Sequence, residues 1–259
     1  MKRDGQMPAQ ITRQHAPHMR GVQKSSQIWT DLERIALSGE ALKHHRVVTQ
    51  KASEDATPFD ILRTKVLLQM QQNGWKRLAI TSPLSGCGKS TMSCNLALGL
   101  GRQSGLRSML IDMDLQDPSV GDLIGYHPKT SMSDLLLGKT PFSEHAVRVG
   151  ENVAVAASGR AEEDPTRVVL SDQTAETLDA IQDTYDPDIM IFDTPSILLG
   201  DNTRAFLKNV DCALIVIRAS STRYGHFDAS EREVGEHTNV LGTVLNAFRT
   251  KDANFATDI

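Results

Sequence analysis

The fold of this chain is decided by ten residues, Ser82-Pro83-Leu84-Ser85-Gly86-Cys87-Gly88-Lys89-Ser90-Thr91. A short apolar run at residues 78–81 precedes them, and an apolar stretch long enough for a helix continues to about residue 100. Strand, glycine-rich turn, Lys-Ser-Thr and helix follow one another in the order of a phosphate-binding loop, or P-loop. Pro83 replaces the first glycine of the general pattern G-x-x-x-x-G-K-[ST], so the match is chemical rather than literal.

The chemistry of this loop resides in its second half. Glycines allow consecutive backbone N–H groups to turn inward around an anion, and the following helix directs its positive end at the same place. The lysine of such a loop reaches the terminal phosphates, and the next hydroxyls serve Mg²⁺ and the α phosphate. An incidental glycine turn beside a lysine is the alternative, and the order of the elements disfavours it. The predicted nucleotide-binding residues are Ser85, Gly86, Cys87, Gly88, Lys89, Ser90 and Thr91.

Aspartates follow two other apolar runs. Asp112 and Asp114 come after residues 108–111, and Asp193 comes after residues 189–192. An ionised aspartate is rarely left inside a protein without a partner, so packing alone explains these positions poorly. The carboxyl ends of parallel strands meet at the ligand crevice of an open sheet. We therefore expect these carboxylates to hold Mg²⁺ and its waters beside the phosphate loop.

The apolar runs of the chain are continuous rather than alternating, which is typical of parallel strands covered on both faces by helices. Together with the loop, they predict an α/β fold, a P-loop NTPase with a mostly parallel central sheet and helices on both faces. The runs lie at residues 78–81, 108–111, 153–156, 189–192, 213–217 and 241–245.

The first 50 residues differ from the rest in charge. They hold eight Lys and Arg against four Asp and Glu, although the whole chain has a net charge of −4. We predict a basic, largely disordered arm at 1–50 and a P-loop domain at 51–259. The arm is read as a solvated tail or, alternatively, as a contact to anionic lipid or to a membrane partner. The acidic remainder argues against a specific nucleic-acid partner.

Some local elements are also predicted. The arm carries a short helix capped by Ser26 and ended by Gly39, and a short strand is expected at 46–49. A longer helix begins with Thr57 as its cap, and residues 166–184 read as another helix.

Composition bounds the class of protein. The 259 residues are 39% hydrophobic and 23% charged, as in ordinary soluble proteins. No run approaches the roughly 18 apolar residues of a membrane span, and no secretory signal is visible at the N-terminus. Three cysteines form no disulfide framework. We expect a cytoplasmic protein that is at most peripheral to a membrane.

Three segments together resemble the Walker A, Walker A′ and Walker B motifs of the bacterial tyrosine kinases (BY-kinases) of capsule and exopolysaccharide synthesis. They are residues 86–91, 110–114 and 191–195, and the similarity extends over about residues 50–250. The parent group is the deviant-Walker ATPases, which include chromosome-partitioning and septum-positioning proteins.

The resemblance implies roles for individual residues. Asp112 would position the attacking group or act as base, and Asn246 would read the adenine. For Asn246, a simple place at a strand-to-loop turn remains an equal alternative. The implied catalytic residues are Lys89, Asp112, Asp114 and Asp193, and the implied Mg²⁺ ligands are Ser90, Asp114 and Asp193.

The chain also departs from the related families. Leu84 stands where partitioning proteins carry a lysine, which favours the kinase branch, whereas Gln116 stands where BY-kinases usually carry an arginine. The C-terminal tyrosine cluster of the BY-kinases is absent, because the only tyrosines of the chain are Tyr126, Tyr185 and Tyr224. The resemblance therefore leaves autokinase activity open.

These observations lead to one functional hypothesis and two alternatives. The protein binds ATP and Mg²⁺ and hydrolyses or transfers the γ-phosphate in the control of exopolysaccharide or capsule export. The alternatives are a non-catalytic, ATP-dependent regulator of a polysaccharide co-polymerase and a partition or positioning ATPase of the same fold. The implied partner is the cytosolic tail of a membrane-embedded chain-length adaptor, which would hold the protein at the inner membrane, and a homo-oligomer is a further implied assembly.

Overall fold

A central sheet of eight strands organises the protein, and a computed structural model describes residues 27–248. The strand order is β1-β4-β5-β3-β6-β2-β7-β8, and every neighbouring pair is parallel except β4 and β5. All six predicted apolar runs form strands, so the predicted mostly parallel α/β sheet is confirmed. The strands are β1 Glu33–Ile35, β2 Arg77–Thr81, β3 Ser108–Asp112, β4 Val147–Val149, β5 Val153–Ala156, β6 Ile189–Asp193, β7 Cys212–Arg218 and β8 Asn239–Asn246.

Helices cover both faces of this sheet. Along β6, Met190 and Phe192 pack into one hydrophobic cluster, whereas Ile189 and Ile191 pack into the other, as the two-residue repeat of a strand requires. The first cluster includes residues of α5 to α10, and the second includes residues of α1 to α4. The helices are α1 Gly39–His44, α2 Thr57–Asn73, α3 Lys89–Leu100, α4 Val120–Ile124, α5 Met132–Leu136, α6 Phe142–His145, α7 Pro165–Leu170, α8 Asp172–Tyr185, α9 Asn202–Leu207 and α10 Tyr224–Gly235.

The N-terminal segment differs from its prediction. Within the described residues, the chain is helical at 27–30 and then enters β1, and Gly39 begins α1 rather than ending a helix. The cause is Ser38, whose Oγ accepts a hydrogen bond from the N–H of Ala41 and so caps a new helix. Ser26, the predicted cap, lies outside the described residues.

Residues 46–49 form no strand. The side chain of Asn95 on α3 takes up the backbone groups that a strand partner would need. Its Oδ1 accepts from the N–H of Val48 and of Thr49 at 2.8 and 3.3 Å, and its Nδ2 donates to the carbonyl of Arg46 at 3.0 Å. The segment is therefore fixed to the helix that follows the P-loop.

The division into an arm at 1–50 and a domain at 51–259 stays a prediction for the chain as a whole. Within the described residues, β1 pairs with β4 as the edge of the same sheet. The indole of Trp29 is buried, and its Nε1 donates to the carbonyl of Tyr185 at 2.7 Å. Residues 27–50 are thus packed against the domain.

Two predicted helices also start or divide differently. The helix with Pro58 near its start begins at Thr57 itself and is preceded by Ala56 as its cap. The helix expected at 166–184 is two helices, α7 and α8, because Ser171 between them has an extended backbone with ψ 135°. Across residues 27–248, no helix has both the length and the apolar character that a membrane span requires.

Candidate functional site

The P-loop leads from the end of β2 into α3. Gly86 and Gly88 have φ values of +77° and +88°, in the left-handed region that glycine tolerates without a steric cost. At Gly88 a Cβ atom would also lie 2.3 Å from Nδ2 of Asn246, so both the backbone and the contact exclude a larger residue. The loop therefore presents its backbone beside the N-terminus of a twelve-residue helix, which favours an anion.

Lys89, the first residue of α3, forms an ion pair with a carboxylate. Its Nζ lies 3.0 Å from Oδ2 of Asp114. Burial by itself would lower the pKa of Lys89, but the charges of Asp193 and Asp114 outweigh it, and the pKa is raised. The side chain is thus a partly buried, permanent cation at the mouth of the loop.

Asp112 and Asp193 are register partners at the ends of β3 and β6, and both are fully buried. Asp112 accepts three backbone hydrogen bonds, to Oδ1 from Asp114 and to Oδ2 from Ser119 and Val120. Burial raises the pKa of Asp112 well above its ordinary value, and the neighbouring charge of Asp193 raises it further. The geometry makes Asp112 the anchor of the loop that leads from β3 into α4.

The two carboxylate oxygens of Asp193 differ in their hydrogen bonding. Oδ1 accepts from Oγ of Ser93 at 2.9 Å, whereas Oδ2 is buried and has no hydrogen-bond partner among the described residues. Burial raises the pKa of this carboxyl to about 6, and Lys89 and the Ser90 hydroxyl act in the opposite direction. A buried carboxylate oxygen without a partner, close to a serine hydroxyl, fits the oxygen ligands that Mg²⁺ prefers.

A cleft of about 350 Å³ joins the P-loop to both aspartate motifs. Its rim includes Leu199, whose side chain is unusually exposed for a leucine, at 60%. The lining residues are Ser85, Gly86, Lys89, Asp114, Gln116, Asp117, Pro195, Ser196, Leu199, Gly200, Asn202 and Thr203. Loops that follow three different strands therefore converge on one site, as the strand ends of a parallel sheet do.

A second cavity of about 470 Å³ is lined by other loops, including those that follow β7 and β8. Arg218 lines it and also donates from Nη1 to the carbonyl of Gly86 at 2.8 Å, which places the cavity beside the P-loop. In the described part of the chain, four residues other than glycine have positive φ, and three of them, Arg46, Ser220 and Ala247, line this cavity. Such backbone conformations concentrate at ligand sites.

Asn246 lies between the P-loop and this second cavity. Its Nδ2 donates to the carbonyl of Cys87 at 2.8 Å, and its Oδ1 accepts from the N–H of Ala247 at 2.8 Å. Both ends of the amide are therefore used within the protein. Asn246 clamps the P-loop in this structure, and its expected role as a reader of adenine stays a prediction.

The comparison of this chain with known proteins agrees with a site built from a P-loop and a pair of buried aspartates. Residues 78–259 match the CobQ/CobB/MinD/ParA nucleotide binding domain. The chain belongs to this family. The match begins in β2 and includes both aspartate motifs and Asn246.

The curated relatives of this family member include named bacterial tyrosine kinases, as the resemblance in the sequence implied. The tyrosine-protein kinase YwqD of Bacillus subtilis is 26% identical over 202 residues, which are 77% of this chain and 84% of YwqD. EpsB of Ralstonia nicotianae is 27% identical over 222 residues, which are 83% of this chain but only 29% of EpsB. This chain thus spans less than a third of that longer relative.

Solved structures agree on the fold. The kinase domain of the Escherichia coli tyrosine kinase ETK has a TM-score of 0.69 and 23% identity, covering 75% of this chain and 76% of that one. Cobyrinic acid a,c-diamide synthase of Mycobacterium smegmatis, solved with an ATP analog and magnesium, has a TM-score of 0.55 and 22% identity, covering 66% and 72%. The P-loop architecture of the family is therefore shown for this chain.

For this family member, the structure brings most of the predicted site residues together. Ser85, Gly86, Lys89 and Asp114 line the cleft, and Asp193 lies close to Ser90. Besides Asn246, three predicted residues are placed elsewhere. Asp112 points into the loop that it anchors, Cys87 is buried with its Sγ 3.8 Å from Oγ1 of Thr222, and Thr91 lies on α3 with its carbonyl bonded to Asn95.

Sequence reasoning missed several residues that support the site. Ser93 donates a hydrogen bond to Asp193. It follows Lys89 by one helical turn, and this spacing could have identified it from the sequence. Arg218 holds Gly86, but it is separated from the loop by more than 100 residues, and its local sequence gave no indication of this contact. The local sequence around Arg46 likewise gave no indication of its place in the second cavity.

Proposed function

We propose that this chain binds Mg·ATP and hydrolyses or transfers its γ-phosphate, in control of exopolysaccharide or capsule synthesis. What is established is a P-loop nucleotide-binding domain homologous to BY-kinases. The observation that carries the proposal is the free Oδ2 of Asp193, buried beside Ser90 and next to the charged Lys89. A buried carboxylate oxygen without a hydrogen-bond partner among the described residues is suited to a bound cation or water.

The residues that would hold Mg²⁺ are Ser90, Asp114 and Asp193, which all carry oxygen ligands. When bound, the ion would neutralise negative charge on the phosphoryl group that is transferred. Asp114 and Lys89 form an ion pair at 3.0 Å. Phosphate would draw Lys89 away from Asp114, and the freed carboxylate would then face the cation. The ion pair thus holds both groups at the cleft.

Asp112 acts through the loop. Its three backbone hydrogen bonds fix the chain between residues 114 and 120, which places Asp114 at the cleft. We assign Asp112 a positioning role, since its lone pairs are directed at backbone N–H groups and its position is fully buried.

The second cavity would receive the nucleoside end of ATP. It adjoins the P-loop through Arg218, and the side chain of Phe248 lies on its wall, 46% exposed. Aromatic rings and guanidinium planes both stack on nucleobases. Arg46, Arg218 and Phe248 are therefore the proposed contacts of the base, and Asn246 supports the loop between base and phosphates.

Equilibrium binding and turnover test this proposal. A fluorescent ATP analogue should bind more tightly with Mg²⁺ than with EDTA, and labelled ATP should release or transfer phosphate. Asp193→Asn should lose the Mg²⁺ dependence and the turnover, because the ligand oxygen becomes an amide group. Asp183→Asn, which changes an exposed aspartate on α8, is the matched control. A folded wild-type protein that binds no ATP at millimolar concentration would rule the proposal out.

A non-catalytic regulator is the second candidate. The observation that favours it is Gln116, which lines the cleft where BY-kinases usually carry an arginine. In that case ATP would change docking to the cytosolic tail of a membrane adaptor, without turnover. Titration of such a tail against the ATP-loaded and ADP-loaded protein separates the candidates when it is run beside the turnover assay. Tighter binding of the ATP form with no turnover identifies the regulator.

A further inference from the structure

We infer that Ser196 orients the group that attacks the γ-phosphate of ATP, by accepting a hydrogen bond from the O–H of that group. The inference rests on the proposed function and deepens it, because it names a positioning residue for the same reaction. The attacking group is a water molecule in hydrolysis and an acceptor hydroxyl in transfer, and both carry an O–H bond. One role of Ser196 therefore serves either reaction.

The direction of the hydrogen bonds around Ser196 follows from a carbonyl group. Oγ of the fully buried Ser82 lies 2.9 Å from the carbonyl oxygen of Leu84. A carbonyl oxygen can only accept, so Ser82 donates its single proton there. Oγ of Ser196 lies 3.1 Å from Oγ of Ser82, and Ser196 must be the donor in this contact, because Ser82 has no second proton. The Ser196 hydroxyl therefore keeps only its lone pairs for a ligand.

The backbone holds Ser196 rigidly at the cleft. The residue lines the cleft and is only 4% exposed. The carbonyl of Pro195, directly before it, accepts hydrogen bonds from Oγ1 of Thr81 and from Oγ1 of Thr203, both at 2.8 Å. A side chain fixed from two sides in this way can place a reacting group without a further loss of freedom.

A hydroxyl that can only accept suits the attacking group and not the phosphate. Phosphate oxygens are themselves acceptors, so they are bound by N–H groups of the P-loop and by Lys89, and the lone pairs of Ser196 would repel them. A water molecule or an acceptor hydroxyl can donate its O–H to Ser196. Its own lone pair is then free to be directed at the γ phosphorus.

The carboxylates near the cleft are engaged in other contacts. Asp112 accepts hydrogen bonds from backbone N–H groups, and Asp114 forms an ion pair with Lys89. The free oxygen of Asp193 is assigned to the cation under the proposed function. None of these three carboxylates is therefore left to orient the attacking group.

Thr203 is a second buried hydroxyl that lines the cleft. It is 1% exposed, and its Oγ1 donates to the carbonyl of Pro195, so its lone pairs are also available. It lies ten residues after Asp193, at the start of α9, whereas Ser196 lies three residues after Asp193 and contacts Ser82 at the start of the P-loop. Ser196 thus joins the two loops that would hold Mg²⁺ and the phosphates, and Thr203 is the competing candidate in the test.

The step balances without a further reactant. A bond forms between the attacking oxygen and the γ phosphorus, and the bond from that phosphorus to the β–γ bridging oxygen breaks. ADP leaves with the electron pair of the broken bond, and the proton of the attacking group passes to solvent water. Ser196 accepts a hydrogen bond throughout and takes no proton.

Turnover and equilibrium binding of ATP, measured on the full-length protein, test the inference. Ser196→Ala should lower kcat by roughly tenfold or more and keep the ATP affinity within about twofold of wild type, because the hydroxyl contacts the attacking group and not the nucleotide. Ser230→Ala is the matched control. Ser230 is a fully buried serine on α10 whose hydroxyl donates to the carbonyl of His226 at 2.7 Å, and its removal should leave kcat unchanged.

Ser82→Ala tests the direction of the hydrogen bond. Without Oγ of Ser82, the Ser196 hydroxyl has no internal acceptor and can turn its proton toward the cleft, so kcat should again fall by roughly tenfold. The double variant Ser82→Ala/Ser196→Ala should lose no more than either single variant, since the two hydroxyls act as one unit. Additive losses would overturn the assignment, because Ser82 would then act independently of Ser196.

The outcomes separate this inference from the proposed function. Wild-type kcat in a folded Ser196→Ala protein overturns the inference and leaves the proposed enzyme intact, and a loss of turnover in Thr203→Val alone moves the role to Thr203. A loss of ATP affinity in Ser196→Ala as large as the loss of turnover also overturns it, because Ser196 would then contact the nucleotide. Binding of ATP by the wild type without any turnover overturns the inference and the catalytic proposal together.

Discussion

Asp112 and Asp193 lie opposite each other on two hydrogen-bonded parallel strands, and both carboxyl groups are fully buried. Two neighbouring carboxylates in the interior oppose folding unless cations or hydrogen bonds offset their charge. Backbone N–H groups offset Asp112, and Lys89 partly offsets Asp193. The negative charge of Asp193 is therefore only partly compensated. A divalent cation bound at this place would compensate the rest.

Asp193→Asn should raise the stability of the nucleotide-free protein. Burial raises the pKa of Asp193 to about 6, so near pH 7.5 the folded state holds a charge that it disfavours. The amide removes that charge and can still accept from Ser93. We expect a gain of about 1–2 kcal/mol, or roughly 2–6 °C in the thermal midpoint. Thermal unfolding monitored by circular dichroism, with Asp183→Asn as control, measures it; a lower midpoint would contradict this account.

Lys89→Ala should weaken Mg·ATP binding. Lys89 is the cation placed between the P-loop and Asp114, and charge-assisted hydrogen bonds contribute about 1.5–3 kcal/mol, or roughly 10- to 150-fold in affinity. Isothermal titration calorimetry on the folded variant measures the loss. Lys65→Ala on α2, an exposed position, is the control and should bind like wild type. Unchanged affinity in Lys89→Ala would mean that the nucleotide binds elsewhere.

Asn246→Ala distinguishes a loop clamp from a base reader. Loss of the hydrogen bond to the Cys87 carbonyl frees one segment of the P-loop, so affinity should fall by about 1 kcal/mol, or roughly fivefold, for ATP and GTP alike. Competition titrations with both nucleotides provide the measurement. Asn239→Ala, at the opposite end of β8, is the control. A loss confined to ATP would instead make Asn246 the reader of adenine.

Asn95→Ala should destabilise the whole fold. The side chain makes hydrogen bonds to the backbone of Arg46, Val48 and Thr49, and its removal leaves these buried or half-buried groups without partners. We expect a loss of about 2–4 kcal/mol in the free energy of unfolding. Urea denaturation measures it, with Asn73→Ala, whose amide bonds only within its own helix, as the exposed control. A change below 1 kcal/mol, about the size of one ordinary hydrogen bond, would show that the clamp is dispensable.

His145 should make the protein sensitive to mild acid. Burial lowers its pKa to about 4 from an ordinary value near 6.5, so the folded state keeps it neutral while the unfolded state gains a proton. Its contribution is therefore complete above about pH 6.5 and is lost as the pH falls toward 4. We expect roughly 2–3 kcal/mol over this range, which His145→Asn should remove. Unfolding free energies of both proteins at pH 4.5 and pH 7.5 provide the test, and parallel curves would refute it.

Much of the fold was predictable because its signals are local. Each long strand of the parallel core is a continuous apolar run, and β3 and β6 end in aspartate in the sequence as in the structure. β1 and β4 were missed because each has three residues, and their pairing joins segments more than 100 residues apart. The antiparallel position of β4 depends on a tight turn in which Gly150 has φ +63°.

The sequence by itself determined the chemistry of the phosphate end of the site, because a P-loop is contiguous and its glycines, lysine and hydroxyls act where they stand in the chain. Only the tertiary structure decided which groups are already engaged. Asp112 is turned into its loop, Asn246 clamps Cys87, and Oδ2 of Asp193 is left free among the described residues. Hydrogen-bond partners of this kind come from distant strands and helices, so they are fixed by packing and carry no local pattern.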